Sequence, residues 1–96
     1  MIGMADRDII DILEDNGISP DDEQLDGMIQ IDGYNDAIIG ITDDYRLVYG
    51  YEKLISVTMR NDGCDEIEAM EYVDVNIVRA VIYYGKQSPI IIYELH

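Results

Sequence analysis

Residues 37–49 read AIIGITDDYRLVY and carry the strongest fold signal in the chain. The aliphatic run 37–42 predicts a strand, Asp43-Asp44 predicts a turn, and residues 46–49 predict a second strand that returns beside the first. A two-stranded hairpin by itself is only marginally stable in water. The flanking sequence therefore has to supply further strands and the helices that cover their apolar face.

Two helices are predicted before this hairpin. The first runs from Asp6 or Arg7 to Asp15 and ends at Gly17, whose left-handed conformation completes a Schellman ending. The second begins at Ser19-Pro20, where the serine caps the helix and the proline occupies a position that needs no N–H donor. The predicted order is therefore helix, helix, strand, strand.

The second half of the chain gives the same order of signals. Residues 51–60 predict a helix that ends at residues 61–63, and Asp65 caps another helix with an inner face of Ile67, Met70 and Val73. Residues 79–84 and 89–93 then predict a hairpin around a glycine-containing turn.

The two halves also align with each other as pseudo-repeats of about 4–50 and 51–94. Residues 13–18 match residues 59–64 at a shift of 46 positions, and the strand segments match at a shift of 43. Two hairpins that pair edge to edge form a sheet with one apolar face, which four helices can cover. A chance similarity between two ordinary ααββ stretches is the alternative explanation.

These signals predict one α+β domain over residues 1–96. It is expected to have two layers, a four-stranded antiparallel sheet, about four helices in αα-ββ-αα-ββ order and an internal pseudo-two-fold repeat. Ninety-six residues suffice for a single core without disulfides. The lone Cys64 cannot form an intramolecular disulfide, which fits a reducing cytoplasm.

Charge is the second strong signal. The chain has 21 acidic and 6 basic residues, a net charge of −15, with 13 acids and 2 bases (−11) up to Val48 and 8 acids and 4 bases (−4) after it. Direct contact with nucleic acid or anionic membranes is disfavoured because both require a basic surface. A partner that normally holds an anion is expected, although acidity can also serve solubility or a halophilic origin.

Few residues offer chemistry. The single histidine is the terminal His96, and Cys64 follows a glycine that stops a helix, where a small buried hydrophobe is expected. The chain has no EF-hand spacing, Walker pattern or glycine-rich phosphate loop, although an irregular weak calcium site stays open. No catalytic residue, metal site or cofactor is therefore predicted, and the absence of a signal peptide or apolar span indicates a soluble protein of the cytoplasm.

Tyrosine supplies every aromatic side chain, and several tyrosines lie near predicted strand ends: Tyr49, Tyr51, Tyr83, Tyr84 and Tyr93. Such side chains are enriched at interfaces, but they also form cross-strand pairs within a sheet. Strand alternation places Tyr83 and Tyr84 on opposite faces, so one of the two is expected to be exposed.

A family resemblance rests on short segments between Tyr34 and Tyr93. The matching residues are Asp36-Ala37-Ile38-Ile39-Gly40, residues 47–53, Glu68-Ala69-Met70-Glu71-Tyr72, Asn76, Gly85 and Ser88-Pro89-Ile90. In these residues the chain resembles a family of small, uncharacterised bacteriophage proteins, which tend to carry Asp where Gly50 stands and Gly near Arg79-Ala80. The resemblance implies a phage setting, with a host-cell cytoplasmic location, and carries over no site residue.

Small acidic phage proteins resemble inhibitors of host defence nucleases, which suggests nucleic-acid mimicry. The chain's average acidity is several-fold sparser than that of DNA, so mimicry requires the charges to gather on one face. The residues expected to bind a basic, nuclease-like groove are Asp8, Asp11, Asp15, Asp21, Asp22, Glu23, Asp26, Asp43 and Asp44. The alternative is a protein–protein interaction or homodimeric module that binds through a sheet edge or its tyrosines.

Overall fold

A computed structural model describes residues 9–19 and 28–95 of the chain. Its helices and strands are α1 (Ile9–Asp15), β1 (Ile38–Ile41), β2 (Leu47–Gly50), α2 (Tyr51–Asp62), α3 (Glu66–Val73) and β3 (Ile90–Ile92). Shorter helical turns comprise a 3₁₀ turn at Asn35–Ala37, a π-helical turn at Asp74–Val78 and a 3₁₀ segment at Val81–Gln87. The predicted α+β class is confirmed.

The described strands form one three-stranded sheet in the order β1-β2-β3. β1 pairs antiparallel with β2, and Ile41 lies opposite Leu47 in the predicted hairpin. β3 pairs parallel with β2 on the other side, with Tyr49 opposite Ile91. The prediction of a four-stranded antiparallel sheet is therefore wrong in both strand number and strand direction.

The missing strand is the segment 79–84, which forms a turn and the start of the 3₁₀ segment instead. Helical structure continues from α3 to Val78 because Ala69, Val73 and Ile77 recur every four residues and are all buried. The helices α2 and α3 thus carry the chain from β2 to β3 as a crossover, which permits parallel pairing. The αα-ββ-αα-ββ order is wrong because the second half supplies one strand where a hairpin was predicted.

The core lies between the central strand and the two long helices. Leu47 and Tyr49 of β2, Leu54 of α2, and Ala69 and Val73 of α3 have at most 1% of their surface exposed. The predicted inner face of α3 is wrong for two residues. The observed buried face is rotated toward Ala69, so Ile67 (70%) and Met70 (36%) are exposed.

Local end signals are confirmed at three helix termini. Gly17 adopts φ 76°, and the Ile18 N–H donates to the Leu13 carbonyl at 2.9 Å, which completes the Schellman ending of α1. Gly63 ends α2 with φ 66°. The Asp65 side chain caps α3 by accepting from the Glu68 N–H at 2.9 Å. The predicted second helix lies mostly outside the described residues.

Buried hydroxyls fix residues 31–34 to the core. The Tyr49 hydroxyl accepts from the Ile31 N–H at 2.8 Å. Thr58, which has no exposed surface, donates to the Leu54 carbonyl and hydrogen-bonds the Tyr34 hydroxyl at 2.6 Å. Burial raises the pKa of Tyr34. These bonds satisfy polar groups that would otherwise destabilise the core.

The residues after β3 close over the start of α2. The Tyr93 ring lies 4.6 Å from the Tyr51 ring, centroid to centroid, and the Glu94 carboxylate accepts from the Glu52 N–H at 3.2 Å. A carboxylate at this helix end is favourable because the first N–H groups have no partner within the helix. A side chain at position 50 would collide with Glu94, so glycine suits the direct passage from β2 into α2.

Candidate functional site

The residues predicted to bind a partner divide into two groups. Five of them lie outside the described residues, and the structure says nothing of their placement: Asp8, Asp21, Asp22, Glu23 and Asp26. The other four are all exposed. Asp11 and Asp15 lie on α1, and Asp43 and Asp44 form the turn between β1 and β2.

The two described pairs belong to neighbouring elements. Ile12 and Leu13 of α1 and Ile38 and Ile41 of β1 line the same cavity of about 450 Å³. α1 and β1 therefore face the same cavity, and the buried Ile12 and Leu13 leave the acidic side of α1 to solvent. Asp43 follows β1 after one residue, so both pairs belong to this α1–β1 side of the molecule.

The turn that carries Asp43 and Asp44 is itself hydrogen-bonded. The Thr42 hydroxyl donates to the Asp44 carboxylate and accepts from the Arg46 N–H. The Tyr45 backbone adopts φ 62°, in the left-handed region. Asp44 therefore has a structural role in the turn beside any role in binding.

A second acidic region extends from the end of α2 through α3 to the π-helical turn, and the prediction missed it. Between Arg60 and Arg79 the sequence has six acidic residues and no base, and all six are exposed: Asp62, Asp65, Glu66, Glu68, Glu71 and Asp74. Their signal in the sequence is this base-free window. Averaging over the half-chain conceals it, because the neighbouring Lys53 and Lys86 reduce the net charge of the half.

The acids of α3 include a ridge, Glu68, Glu71 and Asp74, with members three residues apart. Residues at this spacing lie about 5–6 Å apart at Cβ along one side of a helix. The exposed Ile67 and Val75, at 70% and 55%, belong to the same helical segment. The solvent side of α3 is thus both acidic and apolar, whereas a solvated helix face is usually polar throughout.

One carboxylate of the ridge also binds within the molecule. The Tyr51 hydroxyl donates to Asp74 Oδ1 at 2.7 Å, and this hydrogen bond, with desolvation, raises the pKa of Tyr51 to about 12. Tyr51 and Asp74 join the start of α2 to the end of the α3 helix. The two helices therefore run antiparallel side by side.

The tyrosines have different environments from those predicted. Tyr49 is buried in the core, and Tyr51 packs on Tyr93. Tyr83 and Tyr84 are both exposed, at 82% and 46%, because they belong to a 3₁₀ segment and not to a strand. The expectation that only one of this pair is exposed is therefore wrong.

Cys64 lies between α2 and α3 and packs against the core, but it is half-buried and not buried as predicted. Desolvation raises the pKa of the Cys64 thiol, which favours the protonated form at neutral pH. Within residues 9–19 and 28–95, no group of three or more His, Cys, Asp or Glu side chains converges in a way that could hold a metal ion.

Comparison of the chain with protein-family models, curated proteins and solved structures finds no match. The bacteriophage resemblance stays a prediction. Among the helices described, none has the length and apolar character needed to cross a bilayer.

Proposed function

We propose that this chain is a non-enzymatic, phage-type binding protein whose acidic surface occupies the nucleic-acid-binding groove of a basic host defence protein and inhibits it by mimicry. The observation that carries the proposal is the exposed, base-free acidic surface of α3, together with exposed carboxylates on α1 and the β1–β2 turn. A carboxylate surface of this kind attracts the lysines and arginines that normally contact phosphates.

The excess of acid cannot be neutralised within the molecule. If each of the 6 basic residues paired with one of the 21 acids, the net charge would still be −15. Two of the bases are occupied in the fold: Arg60 binds Asp36 at 2.9 Å, and Arg46 binds the Ser88 carbonyl at 2.8 Å. The remaining negative potential is available to attract a basic partner.

Charge density favours α3 as the centre of mimicry. The total surface of 6251 Å² shared among 15 net charges leaves roughly 420 Å² per charge, against on the order of 100 Å² for duplex DNA. Along the α3 ridge, however, Glu68, Glu71 and Asp74 place one carboxylate every three residues, or about 4.5 Å of helix axis. One DNA strand carries a charge every ~3.4 Å, which is similar.

The test measures binding to a panel of purified basic DNA-binding proteins and nucleases in a salt series, with a DNA duplex as competitor. A partner of the proposed kind is displaced by the duplex, and its affinity falls steeply between low and physiological salt. The double variant Glu68→Gln, Glu71→Gln is expected to weaken binding more than Asp11→Asn, Asp15→Asn, which removes the same charge from α1. Binding that neither salt nor DNA reduces contradicts mimicry.

A second function is favoured by one specific observation. Beyond α3 the chain exposes large apolar side chains near its C-terminus: Ile82 (74%), Tyr83 (82%), Tyr93 (62%) and Leu95 (95%). β3 pairs only with β2 in the described sheet and so forms one of its edges. An apolar surface beside a sheet edge suits a protein–protein interaction or homodimeric module.

Sedimentation velocity over a range of concentrations distinguishes this second function from mimicry. A homodimer should persist at high salt and dissociate in the double variant Ile82→Ser, Tyr83→Ser. Because neither residue is buried, the variant is expected to stay folded. A monomer at all concentrations contradicts the homodimer.

A further inference from the structure

A groove of about 350 Å³ runs between α2 and α3 on the surface. α2 contributes Tyr51, Ile55 and Met59, which are four residues apart and therefore lie along one side of the helix. α3 contributes Met70. Apart from Ser56 of α2, the floor of the groove is thus apolar. It spans about 12 Å, or two helical turns.

The rim of the groove is acidic at both ends. Glu52 lies at the start of α2, and Glu66 lies at the start of α3, which is beside the end of α2 because the helices run antiparallel. The nearest bases on α2 are outside the groove: Lys53 does not line it, and Arg60 is bonded to Asp36. An occupant should therefore be apolar at its centre and basic at its ends.

We infer that this groove binds a basic amphipathic helix of a partner protein. A helix laid between α2 and α3 places apolar side chains at i and i+3 or i+4 on Ile55, Met59 and Met70. Lysines or arginines about seven residues apart, or ~10 Å along the helix, reach Glu52 and Glu66. Methionine suits such a floor because its flexible, polarizable side chain adapts to different occupants.

A helix fits better than a second copy of this chain. Two copies each with a net charge of −15 repel each other, and the groove rim would meet further carboxylates. The inference depends on the proposed function only for the basic character of the partner. It concerns a neighbouring side of α3: Glu68 and Glu71 of the ridge do not line the groove, whereas Asp74 bonds Tyr51 at the groove's edge.

The experiment titrates the full chain with a synthetic 14-residue helical peptide that carries leucines and lysines on one face. Methyl signals of ¹³C-labelled methionines report the site. Met59 and Met70 are expected to shift, whereas Met28, which does not line the groove, provides an internal control. Shifts restricted to other methionines overturn the inference.

Charge at the groove is tested with a matched pair on one helix. Glu66→Gln should weaken peptide binding about three- to fivefold, and Glu68→Gln, with the same loss of charge away from the groove, less than about twofold. Equal losses of peptide affinity in the two variants would show that the peptide is attracted to the acidic helix as a whole. This result would overturn the inference of a binding groove.

The apolar contribution is tested from both partners. Met59→Ser with Met70→Ser, or a peptide with its leucines replaced by serine, should lose about tenfold or more in affinity. Both methionines are partly exposed, so folding of the variant can be checked by circular dichroism. Unchanged affinity in the folded variant overturns the inference.

The experiments distinguish failure of the helix-binding groove from failure of nucleic-acid mimicry. The peptide assay contains no nucleic-acid-binding protein, so a groove that binds the peptide stands even if DNA competes with no partner. If DNA displaces the chain from a nuclease but the chain does not bind the peptide, the proposed function is supported and the inferred helix-binding groove is overturned.

Discussion

The central strand and the segment 81–84 have almost the same composition but opposite environments. Residues 47–49 are Leu-Val-Tyr and residues 81–84 are Val-Ile-Tyr-Tyr. Tyr49 has no exposed surface, whereas Tyr83 is 82% exposed. Strand propensity therefore does not decide which apolar run enters the sheet.

The difference comes from the neighbours that each segment can reach. β2 follows a tight turn that returns it beside β1, and β3 pairs along its other edge. Segment 81–84 follows the helical segment that continues from α3 to Val78. It precedes Gly85, whose φ of 80° is not helical. The edge of β2 that it could have used is taken by β3.

The largest difference in stability between the two segments is expected when their tyrosines are truncated. Tyr49→Ala removes a fully buried ring and should cost about 3–5 kcal/mol of unfolding free energy. Tyr83→Ala, the matched exposed change, should stay within about 0.5 kcal/mol. Urea unfolding followed by circular dichroism measures both.

A domain of this size can lose its fold altogether after the first change. If Tyr49→Ala does not fold, Tyr49→Phe is measured in its place. It removes only the hydroxyl that accepts from the Ile31 N–H and should lower the unfolding free energy by about 1–2 kcal/mol. Similar costs for the variants at positions 49 and 83 would contradict the assigned environments.

The next effect concerns the side chain that holds the start of β3 to β2. Arg46 Nε donates to the Ser88 carbonyl at 2.8 Å, and its NH2 group reaches the Ser88 hydroxyl at 3.2 Å. Arg46→Gln removes both charged donors and should cost about 1.5–2 kcal/mol. Arg79→Gln, an exposed arginine beside segment 81–84, is the control and should have little effect. Equal stability of the two variants would contradict a stabilising role for the Arg46–Ser88 hydrogen bonds.

A smaller effect is expected at the glycines of the two strands. Gly50→Ala places a methyl group against Glu94 and pushes this carboxylate from the start of α2, which should cost about 1 kcal/mol. Gly40→Ala meets no atom and should be neutral or slightly stabilising. Thermal unfolding compares them. Because Glu94→Ala removes the obstacle, adding it to Gly50→Ala should cost little more, and a fully additive cost would refute the collision.

Much of the fold follows from local sequence signals. The glycine at position 63, the cap Asp65 and the turn Asp43-Asp44 each act on their own few neighbours, so the hairpin and the helix ends are predicted correctly. The pairing of β3 is not local. The pairing depends on how far helical structure continues beyond α3. That continuation is stabilised by the burial of Ile77, which is a tertiary contact.

The candidate site was predictable in kind but not in place. Net charge predicts a basic partner, and the half-chain sums place the expected site in the −11 half. The ridge of Glu68, Glu71 and Asp74 appears only when a window shorter than a half-chain is used. The groove beside it requires two helices to pack, which the sequence of neither helix specifies.

The smallest expected effect is at Tyr51, whose hydroxyl is bonded to Asp74 whereas Tyr83 is exposed. The folded state raises the pKa of Tyr51 to about 12 from 10.0, first through the hydrogen bond to Asp74 and then through desolvation. The protonated phenol is thus favoured by folding. Its contribution is complete below pH 10 and is lost as the pH rises through about 12.

Spectrophotometric titration at 295 nm should accordingly show a tyrosine that ionises late in the parent chain and is absent in Tyr51→Phe. Asp74→Asn should lower its midpoint toward 10, because the neutral amide no longer opposes the phenolate. Tyr34 also ionises late through burial, and the difference between parent and Tyr51→Phe curves removes it. Tyr51 is partly exposed, so solvent screening should keep the stability change at neutral pH below about 1 kcal/mol. Coincident titration curves for the parent chain and Asp74→Asn would show that the hydrogen bond does not form in solution.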